Sequence, residues 1–224
     1  MHAQSHAANA DYVILLHGLG RTPLSMKRLE WSLKRENYRV INAAYPSTRI
    51  SIQDAADHYL DDVLKNQTTD RTVKIHFVAH SLGGIVLRQY LSNHQIENLG
   101  RVVMLAPPSQ GSELAERLKN NRLYRLATGP AGQQLGPAES SLPKQLGPPE
   151  FEFGIIAGDR SLNPLFSLWI PGPDDGKVSV RSTQLCGMAD FLLVHKSHTW
   201  MAWSKQVSRA VAQFLRTGCF VPPS

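Results

Sequence analysis

Phe77-Val78-Ala79-His80-Ser81-Leu82-Gly83-Gly84 is the stretch of sequence that decides the fold. Its first part is typical of a buried strand, and the apolar segment that follows it is typical of a helix. A serine at so sharp a strand-to-helix turn adopts strained backbone angles that expose its hydroxyl. The positions two before and two after it must be small because strand and helix crowd together, and Ala79 and Gly83 meet this need. Ser81 is therefore a candidate nucleophile.

The serine turn is informative only in its context. Ala79 differs by one methyl group from the first glycine of the commoner Gly-x-Ser-x-Gly motif. A pentapeptide with Gly or Ala first arises by chance in roughly one chain of this length in seven. A serine at a strand-helix junction can also simply cap the helix. The apolar segments on both sides carry the prediction for Ser81.

Strands and helices alternate on both sides of this turn. Continuous apolar runs predict strands at residues 12–16, 38–41, 73–79, 101–105, 151–157 and 191–195. Helical spacing predicts helices at residues 23–36, 51–66, 84–91 and 203–215. Strict alternation implies right-handed crossovers. We therefore predict an α/β fold with a mostly parallel, doubly wound sheet and helices on both faces.

Two of these helices carry more detailed predictions. The first is expected to bury an apolar stripe of Leu24, Met26, Leu29, Trp31 and Leu33. The second is expected to begin at Ser51 as N-cap. Its apolar stripe consists of Ile52, Ala55, Ala56, Tyr59, Leu60, Val63 and Leu64.

The composition predicts one folded domain. The chain has 224 residues, 42% of them hydrophobic and 19% charged, as in an ordinary globular protein with a substantial core. We assign residues 1–10 to an N-terminal tail and residues 11–224 to a single domain. Residues 112–150 are expected to form a cap or loop region, because Gly-Pro pairs interrupt residues 129–149 too often for a long helix.

Charge and composition bear on partners and cofactors. The net charge of +6 is spread along the chain, which predicts a basic solvated surface and no nucleic-acid binding. No apolar stretch approaches the roughly 18 to 20 residues that span a bilayer. The cysteine spacings of metal, haem and redox sites are absent. We therefore expect no transmembrane segment, no metal and no cofactor.

The sequence is compatible with more than one cellular compartment. Cys186 and Cys219 are compatible with a disulfide and with two free thiols. The apolar run at residues 12–16 is too short for the core of a signal peptide. Ala8-Asn9-Ala10 nevertheless resembles the small-residue end of a secretory leader. The protein is expected to be cytoplasmic or, if a leader was removed, periplasmic or secreted.

The loop after the first strand is a candidate oxyanion site. In His17-Gly18-Leu19-Gly20 the glycines allow a tight turn that aims backbone N–H groups at a substrate oxygen. In folds with this serine turn, a second donor is the N–H of the residue after the nucleophile. The expected donors are therefore Leu19 and Leu82. The alternative is an ordinary glycine-rich end of a strand in which His17 is a structural hydrogen-bonding residue.

A general base should follow the serine in the chain, with its orienting acid between them. The histidines after Ser81 are His94, His195 and His198. His94 comes too early to leave room for the acid. His198 lies in the loop before the last helix, where folds of this kind place their chemistry, and is favoured over His195.

The acid candidates are Asp159, Asp174, Asp175 and Asp190. Asp175 stands in a tight turn that can hold a carboxylate toward an imidazole, whereas Asp159 directly follows a strand and is its serious rival. Asp190 precedes a strand and is at the wrong end. Any of them can also be a turn-forming aspartate.

These residues converge on a family. The chain resembles small bacterial lipases and esterases of the α/β-hydrolase superfamily, including those that carry Ala-His-Ser-x-Gly. The resemblance rests on His17-Gly18-Leu19-Gly20-Arg21-Thr22, Ala79-His80-Ser81-Leu82-Gly83-Gly84, Ala106-Pro107-Pro108-Ser109-Gln110-Gly111-Ser112, Asp175-Gly176-Lys177-Val178-Ser179-Val180 and Ser197-His198-Thr199-Trp200-Met201. It implies that Asp175 is the triad acid, that His198 is the base, and that Leu19 and Leu82 are the oxyanion donors. Residues 129–149 match no element of the family.

The resemblance implies a serine carboxylic-ester hydrolase, a lipase or esterase, that acts through an acyl-enzyme on Ser81 without a cofactor. Its substrate would be a small-molecule or lipid ester, and peripheral contact with lipid surfaces stays open. An acyltransferase, thioesterase or amidase on the same scaffold is the alternative, and a non-catalytic binding protein is a third. An apolar cluster is expected to form either part of an acyl pocket or lid, or ordinary core. Its residues are Leu162, Leu165, Phe166, Leu168, Trp169 and Ile170.

Overall fold

A parallel sheet of six strands runs through the part of the chain that the computed structural model describes, residues 10–221. The predicted tail lies outside the described residues except for Ala10. The sheet order is β2-β1-β3-β4-β5-β6. The strands are β1 (Tyr12–Leu16), β2 (Arg39–Ala43), β3 (Ile75–His80), β4 (Leu99–Leu105), β5 (Phe153–Gly158) and β6 (Asp190–Val194).

Helices connect the strands. They are α1 (Lys27–Arg35), α2 (Ile52–Asp54), α3 (Asp61–Gln67), α4 (Leu82–Asn93), α5 (Glu113–Leu118), α6 (Arg122–Gln133), α7 (Leu142–Gln145), α8 (Pro164–Ser167), α9 (Val180–Thr183) and α10 (Lys205–Thr217). A π-helical segment, Ala55–Leu60, joins α2 to α3, and 3₁₀ turns lie at Pro23–Met26 and Met201–Trp203.

A hydrophobic core lies on each face of the sheet. Successive strand residues point to opposite faces. Ile14 of β1 accordingly packs in one core with Phe77 of β3, and Val13 packs in the other with Val78. The first core includes residues of α4 and the second includes residues of α10. The predicted α/β fold with a parallel, doubly wound sheet is confirmed.

The burial predicted for the first helix is wrong at two positions. Met26, Leu29 and Leu33 are fully buried, whereas Leu24 is 67% exposed and Trp31 is 58% exposed. Leu24 lies in the 3₁₀ turn two residues before Met26, about 240° around the axis at three residues per turn, and therefore faces away from the buried stripe. Trp31 lies about 200° around the helix axis from Leu29.

The second helix begins where predicted but is not continuous. Ser51 caps α2, its side chain accepts a hydrogen bond from the Asp54 N–H, and Asp54 returns one to the Ser51 N–H. The π-helical segment that follows changes the helical phase. Tyr59, which was expected in the buried stripe, is exposed for this reason, while its neighbour Leu60 is buried.

Residues 112–150 contain α5, α6 and α7. The α6 segment changes direction at Gly129, whose φ is 61°, just before Pro130. A Cβ at Gly129 would lie 1.7 Å from the Thr48 carbonyl oxygen, so only glycine fits there. The buried guanidinium of Arg88 on α4 donates hydrogen bonds to the carbonyls of Ser109, Pro143 and Gly147. The division into a domain with a cap stays a prediction.

Candidate active site

Ser81 lies between the end of β3 and the start of α4. Its φ of 55° and ψ of −120° are unusual for a residue with a side chain. Such angles cost about 1–3 kcal/mol and persist only where the surroundings enforce them. Here the Ser81 N–H donates to the Leu105 carbonyl of β4, and the Ser81 carbonyl accepts from the Gly84 N–H.

The residues on either side of the serine must be small. Ala79, two residues before it, is fully buried. A Cβ at Gly83, two residues after it, would lie 2.6 Å from the Leu16 carbonyl oxygen and 2.9 Å from that of His17. The start of α4 therefore packs directly on the backbone of β1. This close approach brings Ser81 beside the loop that follows β1.

His198 joins Ser81 to Asp175. Its Nε2 lies 2.9 Å from Ser81 Oγ and its Nδ1 lies 2.7 Å from Asp175 Oδ2. All three residues are buried. In the neutral ring Nδ1–H donates a hydrogen bond to the carboxylate, so Nε2 carries no proton and can accept the one from the serine hydroxyl. The arrangement can therefore activate the hydroxyl as a nucleophile.

The loop of residues 174–178 fixes the carboxylate. Asp175 Oδ1 accepts backbone hydrogen bonds from Lys177 at 3.0 Å and Val178 at 2.9 Å, which leaves Oδ2 for the imidazole. The Asp175 carbonyl also accepts the His198 N–H at 2.9 Å. Both the position and the orientation of the His198 ring are thus held by this loop.

The rival candidates lie elsewhere. Asp159 Oδ1 contacts His195 Nδ1 at 2.9 Å, and the His195 side chain is 74% exposed. Asp174 accepts hydrogen bonds within its own turn and from Ser167. Asp190 accepts the N–H of Phe220. His94 stacks on Tyr90 of α4. None of these side chains lines the cavity that holds Ser81.

The expected oxyanion donors both lie beside the serine. Leu82 is the first residue of α4, so its N–H has no acceptor within the helix. Leu19 lies in the loop after β1 and lines the same cavity as Ser81. A Cβ on Gly18 would lie 3.2 Å from Ser81 Cβ, which measures how closely this loop approaches the nucleophile.

Buried polar contacts hold the loop after β1. The Gly20 N–H donates to Ser47 Oγ at 3.0 Å. The Tyr45 hydroxyl donates to the His17 carbonyl, and the two rings stack with their centroids 4.3 Å apart. Burial lowers the pKa of His17, so its ring is neutral at pH 7. The contacts with Tyr45 agree with the alternative in which His17 is a structural hydrogen-bonding residue at the end of the strand.

His80 is a further site residue that the sequence analysis did not single out. Its Nε2 donates to the His198 carbonyl at 3.1 Å, so the ring supports the loop that carries the candidate base. Burial lowers the pKa of His80 well below its ordinary value, and the positive charges around it act in the same direction. His80 is therefore neutral at pH 7. Its position directly before Ser81 in the sequence is the feature that could have identified it as a site residue.

A cavity of about 280 Å³ opens beside Ser81 and His198. Most of its wall is apolar and comes from residues 112–150 and from α8: Leu114, Ala115, Leu118, Tyr124, Ala127, Leu135 and Phe166. Of the apolar cluster at residues 162–170, only Phe166 lines the cavity. Leu162, Leu165 and Leu168 are exposed, and Ile170 is buried. Arg21 and Lys177, which were not predicted as site residues, also line it.

The part of the chain that the structure describes contains neither a metal-binding cluster nor a membrane-spanning helix. Residues 10–221 hold no group of three or more His, Cys, Asp or Glu side chains arranged to bind a metal ion. In the same range, no helix has the length and apolar character needed to cross a membrane. Cys186 and Cys219 are both free thiols.

Comparisons with known proteins agree with this fold. Similarity to a lipase of Bacillus licheniformis, BlEst2 in its mature form, gives a TM-score of 0.70 at 17% identity and covers 94% of this chain and 92% of that one. A metagenomic carboxyl esterase, MGS0156, gives 0.65 at 19% identity, with 84% and 64% covered. The phospholipase PlaB of Legionella pneumophila gives 0.64 at 19%, with 78% and 46% covered. The match thus spans less than two thirds of the latter two chains.

Sequence comparison identifies the family. Among curated proteins, none matches the sequence. A family model described as the alpha/beta hydrolase family matches residues 13–221, which is nearly the whole chain. The predicted resemblance to α/β-hydrolases is thereby confirmed. The chain belongs to the alpha/beta hydrolase family.

Proposed function

We propose that the protein is a serine carboxylic-ester hydrolase with Ser81 as nucleophile, His198 as general base and Asp175 as the orienting acid. The observation that carries this proposal is the continuous hydrogen-bonded path from Ser81 Oγ through the His198 ring to Asp175. A serine that only caps a helix has no reason to be joined to a histidine and an aspartate in this way. The Ser81 side chain, moreover, makes no capping hydrogen bond to α4.

The reaction follows from this geometry. Ser81 Oγ gives its proton to His198 Nε2 and bonds to the ester carbonyl carbon, whose oxygen takes up the carbonyl electron pair. The N–H groups of Leu19 and Leu82 hold this oxyanion. The ester C–O bond then breaks, and His198 protonates the departing alcohol. Water attacks the acyl-Ser81 ester by the same route and releases the acid. Asp175 stabilises the imidazolium throughout.

The cavity favours an ester with an apolar acyl group. Its volume of about 280 Å³ lies at the small end of typical ligand sites, and leucine, alanine and aromatic side chains dominate its wall. We infer that short and medium acyl chains enter completely and that longer chains extend out of it. The named lipase, carboxyl esterase and phospholipase neighbours support an ester substrate.

Activity-based labelling tests the proposal. A fluorophosphonate probe should label the wild-type protein on Ser81, and Ser81→Ala should abolish labelling and nearly all hydrolysis of p-nitrophenyl esters. Ser92→Ala is the matched control because Ser92 is exposed on the same helix. A rate series from acetate to palmitate should peak at short to medium chains. Substantial turnover by Ser81→Ala would disprove the assignment.

The same assay addresses the alternative chemistries. Oxygen esters, thioesters and amides of one acyl group are compared with and without an acceptor alcohol. A strong thioester preference, or transfer to the alcohol in place of hydrolysis, would replace the ester hydrolase with a thioesterase or acyltransferase. Failure of the probe to label well-folded protein would support a non-catalytic protein.

We also propose that the elements around the cavity contact lipid surfaces. Leu126 of α6 is 83% exposed and Leu168, just after α8, is 79% exposed. Tyr124 and Phe166 of the same two elements line the cavity. Sedimentation with phosphatidylcholine vesicles tests this: Leu126→Glu with Leu168→Glu should weaken binding, whereas Trp31→Glu on α1 should not. Equal binding by all variants would exclude this surface.

A further inference from the structure

Two cations line the cavity that holds Ser81. Arg21 comes from the loop after β1, and Lys177 comes from the loop that carries Asp175. Neither forms an ion pair with a carboxylate within 4.0 Å among residues 10–221. One guanidinium nitrogen of Arg21 donates to Thr199 Oγ1 at 3.1 Å, which leaves most of its donors for another acceptor.

Asp175, the carboxylate nearest to Lys177 in the sequence, forms its ion pair with His198 and not with either cation. Asp175 Oδ2 is occupied by His198 Nδ1, and Oδ1 by the backbone N–H groups of Lys177 and Val178. Lys177 is only partly exposed. Burial lowers the pKa of its amine, the positive Arg21 lowers it further, and Asp175 acts in the opposite direction. The cavity wall therefore carries positive charge that Asp175 offsets only in part, since its ion pair is with His198 and not with Lys177.

Such an arrangement is unfavourable without an anion. A partly buried lysine loses part of its hydration, and two cations in one small cavity repel each other. Most of the rest of the wall is apolar, which strengthens the interaction with any charge that enters. Structural anchoring does not explain Lys177, because it is the backbone N–H of this residue that binds Asp175.

We propose that Arg21 and Lys177 form an anion-binding subsite of the ester site, so that the preferred substrate is an ester with a phosphate or carboxylate group close to the scissile bond. The inference rests on the proposed ester hydrolase function and narrows its substrate class. The guanidinium binds two oxygens of the anion and the ammonium adds a point charge. The apolar part of the cavity holds the acyl chain.

Two pairs of esters that differ by one anionic group test the subsite. The phosphate arm compares 1-octanoylglycerol 3-phosphate with 1-octanoylglycerol, and the carboxylate arm compares O-octanoylglycolate with ethyl octanoate, so that the anion lies on the alcohol side in both arms. The wild type should prefer the anionic member of at least one pair by about tenfold or more in kcat/KM, as expected for a charge-assisted contact. The arm with the larger preference identifies the anion.

Variants assign the preference to these side chains. Lys177→Met and Arg21→Met should each lower the ratio of anionic to neutral kcat/KM by about tenfold, mainly through KM. Lys177→Arg should restore most of it, because it keeps the charge. Lys205→Met removes an exposed cation from the start of α10 and should leave the ratio unchanged. Thermal melts verify that every variant is folded.

The outcomes separate the inference from the function that it rests on. Equal hydrolysis of both members in both pairs would overturn the subsite and leave the ester hydrolase intact. An equal loss on neutral and anionic esters in both Met variants would also overturn it, because the side chains would then act on the fold. Hydrolysis of no ester at all would refute the proposed function and the subsite together.

Discussion

Gly83→Ala tests whether the close packing of α4 on β1 positions the nucleophile. A Cβ at this position would lie 2.6 Å from the Leu16 carbonyl oxygen, 0.8 Å short of the 3.4 Å at which ordinary contact begins. The His17 carbonyl oxygen would lie at 2.9 Å. Both are backbone atoms of a central part of the sheet, so no side-chain rotation relieves the clash. The end of β1 and the start of α4 must move apart.

The magnitude follows from this displacement. Overpacking in a well-packed core costs about 1–3 kcal/mol, and a rigid backbone neighbour places Gly83→Ala near the upper end. A loss of about 3 kcal/mol lowers Tm by roughly 6–12 °C in a chain of this size. Since β1 leads into the loop of Leu19, the donor there moves relative to Ser81. A shift approaching 1 Å reduces kcat on the order of 100-fold.

Gly84→Ala is the matched control. It lies one residue further along α4, so both variants gain the same helix propensity, up to about 1 kcal/mol. A Cβ there would first meet the Pro107 Cβ at 3.1 Å, a contact that a small adjustment relieves. We expect its stability to stay within about 1 kcal/mol of the wild type.

Thermal and urea denaturation, together with kcat and KM for p-nitrophenyl butyrate, measure both effects. Gly83→Ala should lose stability and kcat with little change in KM, and Gly84→Ala should lose neither. If Gly83→Ala is as stable and active as Gly84→Ala, the reasoning from backbone contact is wrong.

Three further predictions concern single side chains. Asp175→Asn should lower kcat on the order of 10³–10⁴-fold because the imidazole loses its tautomer control, while Asp159→Asn should stay near wild type; comparable losses would contradict the assignment. Burial raises the pKa of Glu30, but hydrogen bonds from Lys34, Asn42 and Lys27 outweigh it and lower the pKa to about 2. Glu30→Gln should therefore lose about 1–3 kcal/mol of unfolding free energy at pH 7. The difference in unfolding free energy between the wild type and Glu30→Gln should vanish as the pH falls from about 4.5 toward 2. A difference that does not change with pH in urea titrations would refute this prediction. Arg88→Met removes the donor of three carbonyls, two of them buried, and should cost about 2–4 kcal/mol, with faster proteolysis within residues 142–147; unchanged proteolysis would refute the anchoring of this segment by Arg88.

Much of the fold follows from local sequence. The strands of a parallel sheet covered on both faces are continuous apolar runs, so residues such as 12–16 and 73–79 reveal them directly. The alternation of these runs with helices then limits the topology. The details of the helices do not follow as easily. Leu24 and Trp31 were expected to be buried because they are apolar, but at about 100° per residue both lie on the side of the helix opposite Met26, Leu29 and Leu33.

The candidate site also has one part that local sequence predicts and another part that it does not predict. Ser81 could be singled out because a strand, a sharp turn and a helix are local features, and small neighbours at Ala79 and Gly83 are visible in the sequence. The pairing of each aspartate with a histidine, in contrast, depends on residues that are far apart in the sequence. Asp159 and Asp175 each pair with a histidine. His198 reaches Ser81 only because two loops that are more than a hundred residues apart in the sequence lie side by side in the fold.

By itself, the sequence determined the α/β fold, the serine turn and the order of the candidate triad residues, because periodicity, residue size and chain order are properties of short segments. Only the tertiary structure decided which carboxylate orients His198 and that Arg21 and Lys177 line one cavity. Hydrogen bonding and charge interaction depend on distance in space. That distance is set by how the sheet aligns the carboxyl ends of its strands.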